Sequence, residues 1–182
     1  MSKKDKRSYF DIIKMVSAWI LTFGLRLLPF RPPNVEPILA IQMPFTKRFG
    51  ILTGFIFAFL NIVAFDLVTA KVGLWTLISA LVYGCLAFFS RWYFKKRESS
   101  ALNYAVHAIY ATLIYDLITG VMMGPIFFQQ SFMSALTGQF IFTIYHLLGN
   151  ISLALLFSPV VYRYIVVNPK VSFNYLRQKF AF

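Results

Sequence analysis

Long apolar runs, separated by basic clusters, constrain this sequence more than any other feature. Four of the runs begin near residues 49, 74, 101 and 132. Each is long enough to cross a bilayer, which takes about 20 apolar residues in a helix. Only 13% of the residues are charged, whereas soluble proteins carry about a quarter. The sequence therefore predicts an all-α, polytopic membrane protein.

Six transmembrane helices are predicted, of which the second is short. The predicted spans are residues 10–28, 38–45, 49–68, 74–94, 101–118 and 132–167. The second span contains Pro44 and is too short to cross as a straight helix, so we expect it to be short, tilted or broken and packed against protein. Residues 1–9 are predicted to form a basic N-terminal segment, the six-helix domain covers residues 10–167, and a basic tail covers residues 168–182.

The basic residues predict the orientation of these spans. With a cytoplasmic N-terminus, fifteen of the 18 basic residues fall inside, and only Arg26, Arg31 and Lys71 fall outside. This split follows the positive-inside rule. Without the short second span, Lys47 and Arg48 would move outside and the bias would be lost. Charge therefore predicts a multi-pass protein of the cell membrane with both termini cytoplasmic, and it explains the net charge of +12 without a nucleic-acid partner.

One polar motif occurs twice in the apolar chain. Tyr115-Asp116-Leu117-Ile118-Thr119-Gly120 ends an apolar run and is followed by Gly124-Pro125, where we expect the helix to break. Phe65-Asp66-Leu67-Val68-Thr69-Ala70 is an earlier version. The two copies are separated by two spans, so both aspartates are predicted at the outer face. Ionisable residues at membrane depth are costly and usually face protein or a water-filled cavity.

The polar residues of the outer half predict a binding site for a small polar molecule. Asp66 and Asp116 are equally consistent with binding a ligand and with capping helix ends or pairing with Arg26 and Lys71. Thr119-Gly120 is either a turn or a ligand contact. His146 and Asn150 share one helix face because they are four residues apart. The candidate residues are Arg26, Asn34, Glu36, Asp66, Asp116, Thr119, Gln139, His146 and Asn150, with Trp75, Tyr115, Phe127 and Phe128 as apolar walls.

Motifs of enzymes and metal sites are missing from this sequence. It contains no glycine-rich phosphate loop, no HExxH motif and no spacing typical of metal ligands. Its one cysteine, Cys85, rules out an internal disulfide. Asp66 and Asp116 could form an acid–base pair, but no nucleophile or metal site accompanies them. We therefore expect neither an enzyme nor a bound cofactor or metal.

Several motifs together resemble one known family. They are Arg26-Leu27-Leu28-Pro29 leading to Pro32-Pro33-Asn34-Val35-Glu36-Pro37, Gly50-x-x-x-Gly54 leading to Asp66, the Asp116 motif with Gly124-Pro125, and Gln139 to Thr143 with His146, Gly149-Asn150 and Ser158-Pro159. In this order, over about residues 10 to 167, the chain resembles the substrate-binding membrane subunit (S component) of energy-coupling factor (ECF) vitamin transporters.

The resemblance implies both a fold and a set of partners. Such subunits have six helices, cytoplasmic termini and a substrate pocket near the outer face, under the loop between the first two helices. They work with a transmembrane coupling subunit and two cytoplasmic ATPases, and are thought to topple in the bilayer to release substrate. Their first helix often carries an Ala-x-x-x-Ala contact surface, for which Ala18-x-x-x-Thr22 is the nearest match here.

Three functional hypotheses follow. The first is capture of a small polar nutrient, such as a vitamin or its precursor, with Asn34 and Asp116 as the leading candidates for direct hydrogen bonds. The second is a secondary transporter that uses Asp66 and Asp116 for coupling ions; repeat-built transporters are compatible with the repeated motif, although its copies are not inverted. The third is a structural membrane protein whose polar residues only pair helices.

Overall fold

The computed structural model describes residues 3–30, 35–168 and Val171, with side chains from Tyr9 onward. This part of the chain is helical and contains no strand. Residue Asn34 and nearly all of the predicted 168–182 tail lie outside it. The helices are α1 (Lys3–Arg26), α2 (Pro37–Phe49), α3 (Ile51–Val68), α4 (Leu74–Tyr93), α5 (Ala101–Asp116), a π-helical segment (Leu117–Met122), α6 (Met123–Phe127), α7 (Phe132–Val160) and a second π-helical segment (Val161–Val166).

Four helical stretches are long and apolar enough to cross a membrane. They are α3, α4, the continuous stretch Ala101–Phe127, and the stretch Phe132–Val166. Large apolar side chains such as Leu52, Phe88 and Leu156 are exposed on their outer faces, as lipid contact requires and water contact disfavours. The prediction of an all-α, membrane-embedded protein is therefore confirmed.

Helix α2 is the buried centre of the bundle. Every residue from Pro37 to Thr46 is buried, and the helix packs on α1, α3, α4 and α7. Gln42 donates Nε2 hydrogen bonds to the Gly54 carbonyl at 3.2 Å and the Tyr83 carbonyl at 3.1 Å. At 13 residues, α2 is about 20 Å long, so it is shorter than the hydrocarbon core of about 30 Å. Protein encloses it, as the sequence predicts for the short second span.

The helix ends fall into two groups at opposite ends of the bundle. At the basic end, defined by Lys47, Arg91 and Arg97, the Lys47 ammonium donates to the Arg97 carbonyl at 2.7 Å and Arg91 donates to the Lys47 carbonyl at 2.9 Å. At the cavity end, defined by Arg26, Glu36 and Asp66, an ion pair between Arg26 and Glu36 joins α1 to α2. The short α2 therefore connects the two ends, which places the basic clusters near residues 47 and 97 together.

Small residues allow α2 and α3 to pack closely. Gly50 alone links the two helices, and its φ of 100° lies in a region that favours glycine. Gly54 faces Thr46 and Ala87, and a Cβ there would collide with the Thr46 hydroxyl. Ala58 is fully buried. The small residues at 54 and 58 thus serve packing within the chain.

The helix break predicted at Gly120 and Pro125 does not occur. The chain stays helical to Phe127, because a π-helical segment from Leu117 to Met122 carries it past Gly120. The wider π turn bonds residues five apart, and where it occurs it is mostly a single turn within an α-helix. Pro125 follows within the short α6, in the first turn after the π-helical segment. Helix α7 is likewise continuous from Phe132 to Val160 and contains both Gly149 and Pro159.

Replacing Gly54 by valine should destabilise the protein. The added side chain would push Thr46 and Ala87 apart at the tightest approach of the buried helices, and overpacking of this kind costs about 1–3 kcal/mol. We expect a fall of several degrees in the melting temperature of the detergent-purified protein, followed by intrinsic fluorescence. Gly24→Ala is the matched control, because nothing lies within 4 Å of a Cβ there. Equal melting temperatures for the two variants would contradict this packing.

Candidate functional site

A polar cavity of about 150 Å³ lies at the cavity end. It is enclosed by the end of α1, the start of α2, the end of α3 and parts of α4, α5 and α7. Its lining residues are Arg26, Glu36, Ile38, Ile62, Asp66, Trp75, Ser79, Tyr83, Tyr115, Phe142 and His146. Four of the nine predicted site residues are among them. The structure therefore brings together residues that are up to 120 positions apart in the sequence.

Arg26 is held in place by three partners. Its Nε donates to Glu36 Oε2 at 2.8 Å, and its Nη1 donates to the Asn61 carbonyl at 2.6 Å. The guanidinium carbon lies 4.3 Å from the centre of the Phe65 ring, in a cation–π contact. Only 7% of Arg26 is exposed. Glu36 balances its charge, so Arg26 chiefly joins α1, α2 and α3 and shapes the cavity wall.

His146 and Asp116 form a buried pair behind the cavity. His146 Nδ1 lies 2.7 Å from Asp116 Oδ1, and both side chains are 3% exposed. The imidazole also meets Tyr115 and Phe142 edge-on, with ring centres 5.6 and 5.9 Å apart. Nδ1 is engaged by Asp116, and Nε2 is a buried ring nitrogen that has no hydrogen-bond partner in the described structure.

This pairing changes the interpretation of Asp116. The sequence offered Arg26 and Lys71 as its partners, or a direct contact with ligand. The structure instead gives it His146, which lines the cavity, while Asp116 itself does not. Asp116 is therefore a positioning residue in this structure, since it acts on the cavity through the imidazole.

Asp66 reaches the cavity directly. Its Oδ2 accepts a hydrogen bond from the Thr76 hydroxyl at 2.6 Å, and that hydroxyl also accepts from the Gly73 backbone N–H at 3.1 Å. This joins the end of α3 to the first turn of α4. Within the described part of the chain, no basic side chain forms an ion pair with Asp66. Pairing with Arg26 or Lys71, the alternative that the sequence left open, is therefore not what the structure shows.

Three other predicted residues lie away from this cavity. Asn150 donates from Nδ2 to the Thr112 hydroxyl at 2.8 Å, which ties α7 to α5. The Thr119 hydroxyl bonds to the Tyr115 carbonyl one turn earlier. Gln139 packs against Gly120 and lines a separate, mostly apolar cavity of about 430 Å³ together with Asp116. Asn34, the ninth candidate, falls outside the described residues.

Sequence reasoning missed five lining residues, Ile38, Ile62, Ser79, Tyr83 and Phe142. A helical pattern was available for two of them, since Trp75, Ser79 and Tyr83 are spaced four apart and share one face of α4. Trp75 and Tyr115 line the cavity as predicted apolar walls, whereas Phe127 and Phe128 do not. Phe128 instead contacts Trp75, with ring centres 6.2 Å apart.

The fold and the cavity together define the class of protein. It is a membrane-embedded helical protein with a polar cavity at one end of the bundle. No protein-family model, curated protein or solved structure matches this chain. The chemistry of the cavity is what the described structure itself contributes on function.

Removing the Arg26 charge should destabilise the protein. Arg26→Gln leaves the Glu36 carboxylate without its 2.8 Å ion-pair partner. Breaking a fully buried pair costs about 3–5 kcal/mol, and we expect a smaller loss because Glu36 is 18% exposed. Thermal unfolding in detergent measures the effect. Lys71→Gln removes an exposed charge at the same end and should leave the melting temperature within a degree. A melting temperature for Arg26→Gln as high as this control would show that the pair does not stabilise the bundle.

Proposed function

We propose that this protein is the substrate-binding membrane subunit of an ECF-type transporter, which captures a small polar nutrient for uptake. The observation that carries the proposal is the position of the cavity. Arg26 and Glu36, which flank the connection between α1 and α2, both line it, and the resemblance implies a substrate pocket beside this connection. The cavity is polar, yet it lies within an apolar bundle, as a site for a polar cargo needs.

Six crossings and an outward-facing cavity are part of this proposal. Four stretches qualify by length and composition alone, and contacts support the other two. Helix α2 connects the two ends of the bundle. Lys14, midway along α1, donates to the Val166 carbonyl at 3.4 Å, while Arg26 at the end of α1 reaches the cavity. The positive-inside rule then places the basic end in the cytoplasm and the cavity outside.

Cysteine labelling tests this orientation. In a Cys85→Ala background, we expect Lys71→Cys to react with a membrane-impermeant maleimide in intact cells. Lys96→Cys should react only after the membrane is permeabilised, because it lies in the basic cluster that follows α4. Both residues are exposed, so a difference in labelling reports the side of the membrane on which each residue lies. The reverse pattern would overturn the proposed orientation.

Ligand capture is tested with the detergent-purified protein. We expect mass spectrometry to detect a co-purifying small molecule, and a panel of vitamins and precursors to contain a compound that raises the melting temperature by several degrees. Binding at 100 times Kd adds about 2.7 kcal/mol to the free energy of unfolding. A protein that carries no such molecule and is stabilised by no compound of the panel would count decisively against capture.

Asp116→Asn should weaken binding of that compound. The amide keeps the shape of the carboxylate but no longer holds the His146 ring by a charge-assisted bond, which is roughly twice as strong as a neutral one. We expect at least a tenfold rise in Kd by calorimetry, with the unliganded fold retained. Thr137→Ala, in the separate cavity of about 430 Å³, is the control. An unchanged Kd would show that the Asp116–His146 pair does not contribute to binding of the compound.

The proposed partners rest on the resemblance alone. They are a transmembrane coupling subunit and cytoplasmic ATPase subunits. Ala18 and Thr22, the positions that correspond to the contact motif of the family, are buried within this chain, and the Thr22 hydroxyl bonds to the Ala18 carbonyl. A coupling subunit would therefore meet another part of α1. Co-purification of the tagged chain with an ATPase-containing complex tests this part of the proposal.

The buried Asp116–His146 pair favours one second candidate, a proton-coupled secondary transporter. Buried acid and histidine side chains in membrane helices are the groups from which transporters build proton relays. Reconstituted vesicles distinguish the candidates. Uptake that needs a proton gradient but no ATPase partner would select the secondary transporter, while uptake that needs the ATPase subunits and ATP would select the ECF type.

A further inference from the structure

We infer that the cavity takes a small nitrogenous organic cation with N–H donors, held by the Asp66 carboxylate and His146 Nε2 between aromatic walls. This inference names the substrate class for the proposed capture site and rests on that function. It depends on three observations, which are the charge balance of the lining, the unpartnered polar atoms and the aromatic rings.

The lining carries a negative charge that the described residues do not balance. The positive charge of Arg26 is matched by Glu36 at 2.8 Å and further occupied by the Asn61 carbonyl and the Phe65 ring. Arg26 is thus poorly placed to receive an anionic ligand. The carboxylate of Asp66 has only a neutral hydroxyl, that of Thr76, as its described hydrogen-bond partner. A half-buried carboxylate without a counter-charge favours a cationic partner.

The lining residues contain polar atoms without a described partner, and these atoms favour a ligand that donates hydrogen bonds. His146 is 2% exposed, and a ring that donates Nδ1–H to the Asp116 carboxylate presents Nε2 as an acceptor. Tyr83 is equally buried, and its hydroxyl also has no described partner. A ligand with N–H groups can satisfy Asp66 and His146 together, whereas a carboxylate ligand would meet two acceptors.

Aromatic side chains supply the remaining walls. Trp75, Tyr83, Tyr115 and Phe142 all line the cavity, and the rings of Tyr83 and Tyr115 lie 4.8 Å apart between centres. Aromatic faces carry negative potential and attract organic cations. The volume of about 150 Å³ is below the roughly 300–1,000 Å³ of pockets for drug-sized ligands. The cavity therefore suits a protonated amine, an amidinium or a small amino-heterocycle.

A charge-sorted set of probes tests this inference on the full-length protein. Calorimetry would compare benzamidine and pyridoxamine, which are small cations with N–H donors, with choline, a small cation that has no N–H donor. Nicotinamide serves as a neutral probe, and nicotinate and benzoate serve as anions of matching size. We expect binding of at least one of the first two, at least tenfold weaker binding of choline, and no binding of the anions. Tighter binding of an anion would overturn the inference while leaving capture of a nutrient standing.

A variant identifies the carboxylate responsible. Asp66→Asn keeps an oxygen that accepts from Thr76 but loses the charge, so we expect the Kd of the bound cation to rise at least tenfold. Glu98→Gln, an exposed acid next to the basic end, should leave that Kd unchanged. An unchanged Kd in Asp66→Asn would overturn the inference. If this variant does not fold, the relative affinities of the probes for the unaltered protein still test the inference. Binding of no compound in any charge class, there or in the wider panel, would overturn the proposed function as well.

Discussion

The architecture of the cavity end depends on one buried guanidinium. Arg26 is the last residue of α1, and it bonds to Glu36 before α2 and to the Asn61 carbonyl inside α3. Leaving an arginine charge in an apolar bundle is costly unless it is paired and hydrogen-bonded. These partners meet that need only when the three helices are correctly placed. The same geometry leaves Asp66 as the cavity acid without a described counter-charge, so the structural ion pair also determines what the cavity can bind.

Much of the fold could be predicted because lipid imposes simple rules. Apolar runs located α3, α4, α5 and α7, since a bilayer-crossing helix needs a minimum length. Hydropathy could not predict α2, because its 13 residues are too few and are enclosed by protein. The basic residues at positions 47 and 48 predicted it instead, through the distribution of charge. The π-helical segment at Leu117–Met122 was not predictable. Gly120 and Pro125 are helix breakers by intrinsic propensity, and tertiary packing against Gln139 and α7 overrides that propensity.

The site was predicted less completely, for a different physical reason. Sequence shows which polar residues sit in apolar helices, but not which neighbour each one meets. Asp116 and His146 are 30 residues apart, and their contact depends on how α5 faces α7. Thr119 bonds to its own helix, and Asn150 finds Thr112 rather than the cavity. A polar residue in such a helix can be satisfied locally, by a neighbouring helix or by a ligand, and only the packing distinguishes the three.

The burial of α2 also bears on how the chain enters the membrane. A 13-residue helix with Gln42 and Pro44 at its centre is a poor substrate for independent insertion, because lipid would leave the Gln42 amide unsatisfied. Apart from α1, the helices that enclose it come later in synthesis. Ser158, which bonds to the Ala40 carbonyl, follows 118 residues afterwards. Helix α2 therefore reaches its final surroundings only when α7 is made. The α1–α2 pair can therefore complete its packing only after α7 has been synthesised.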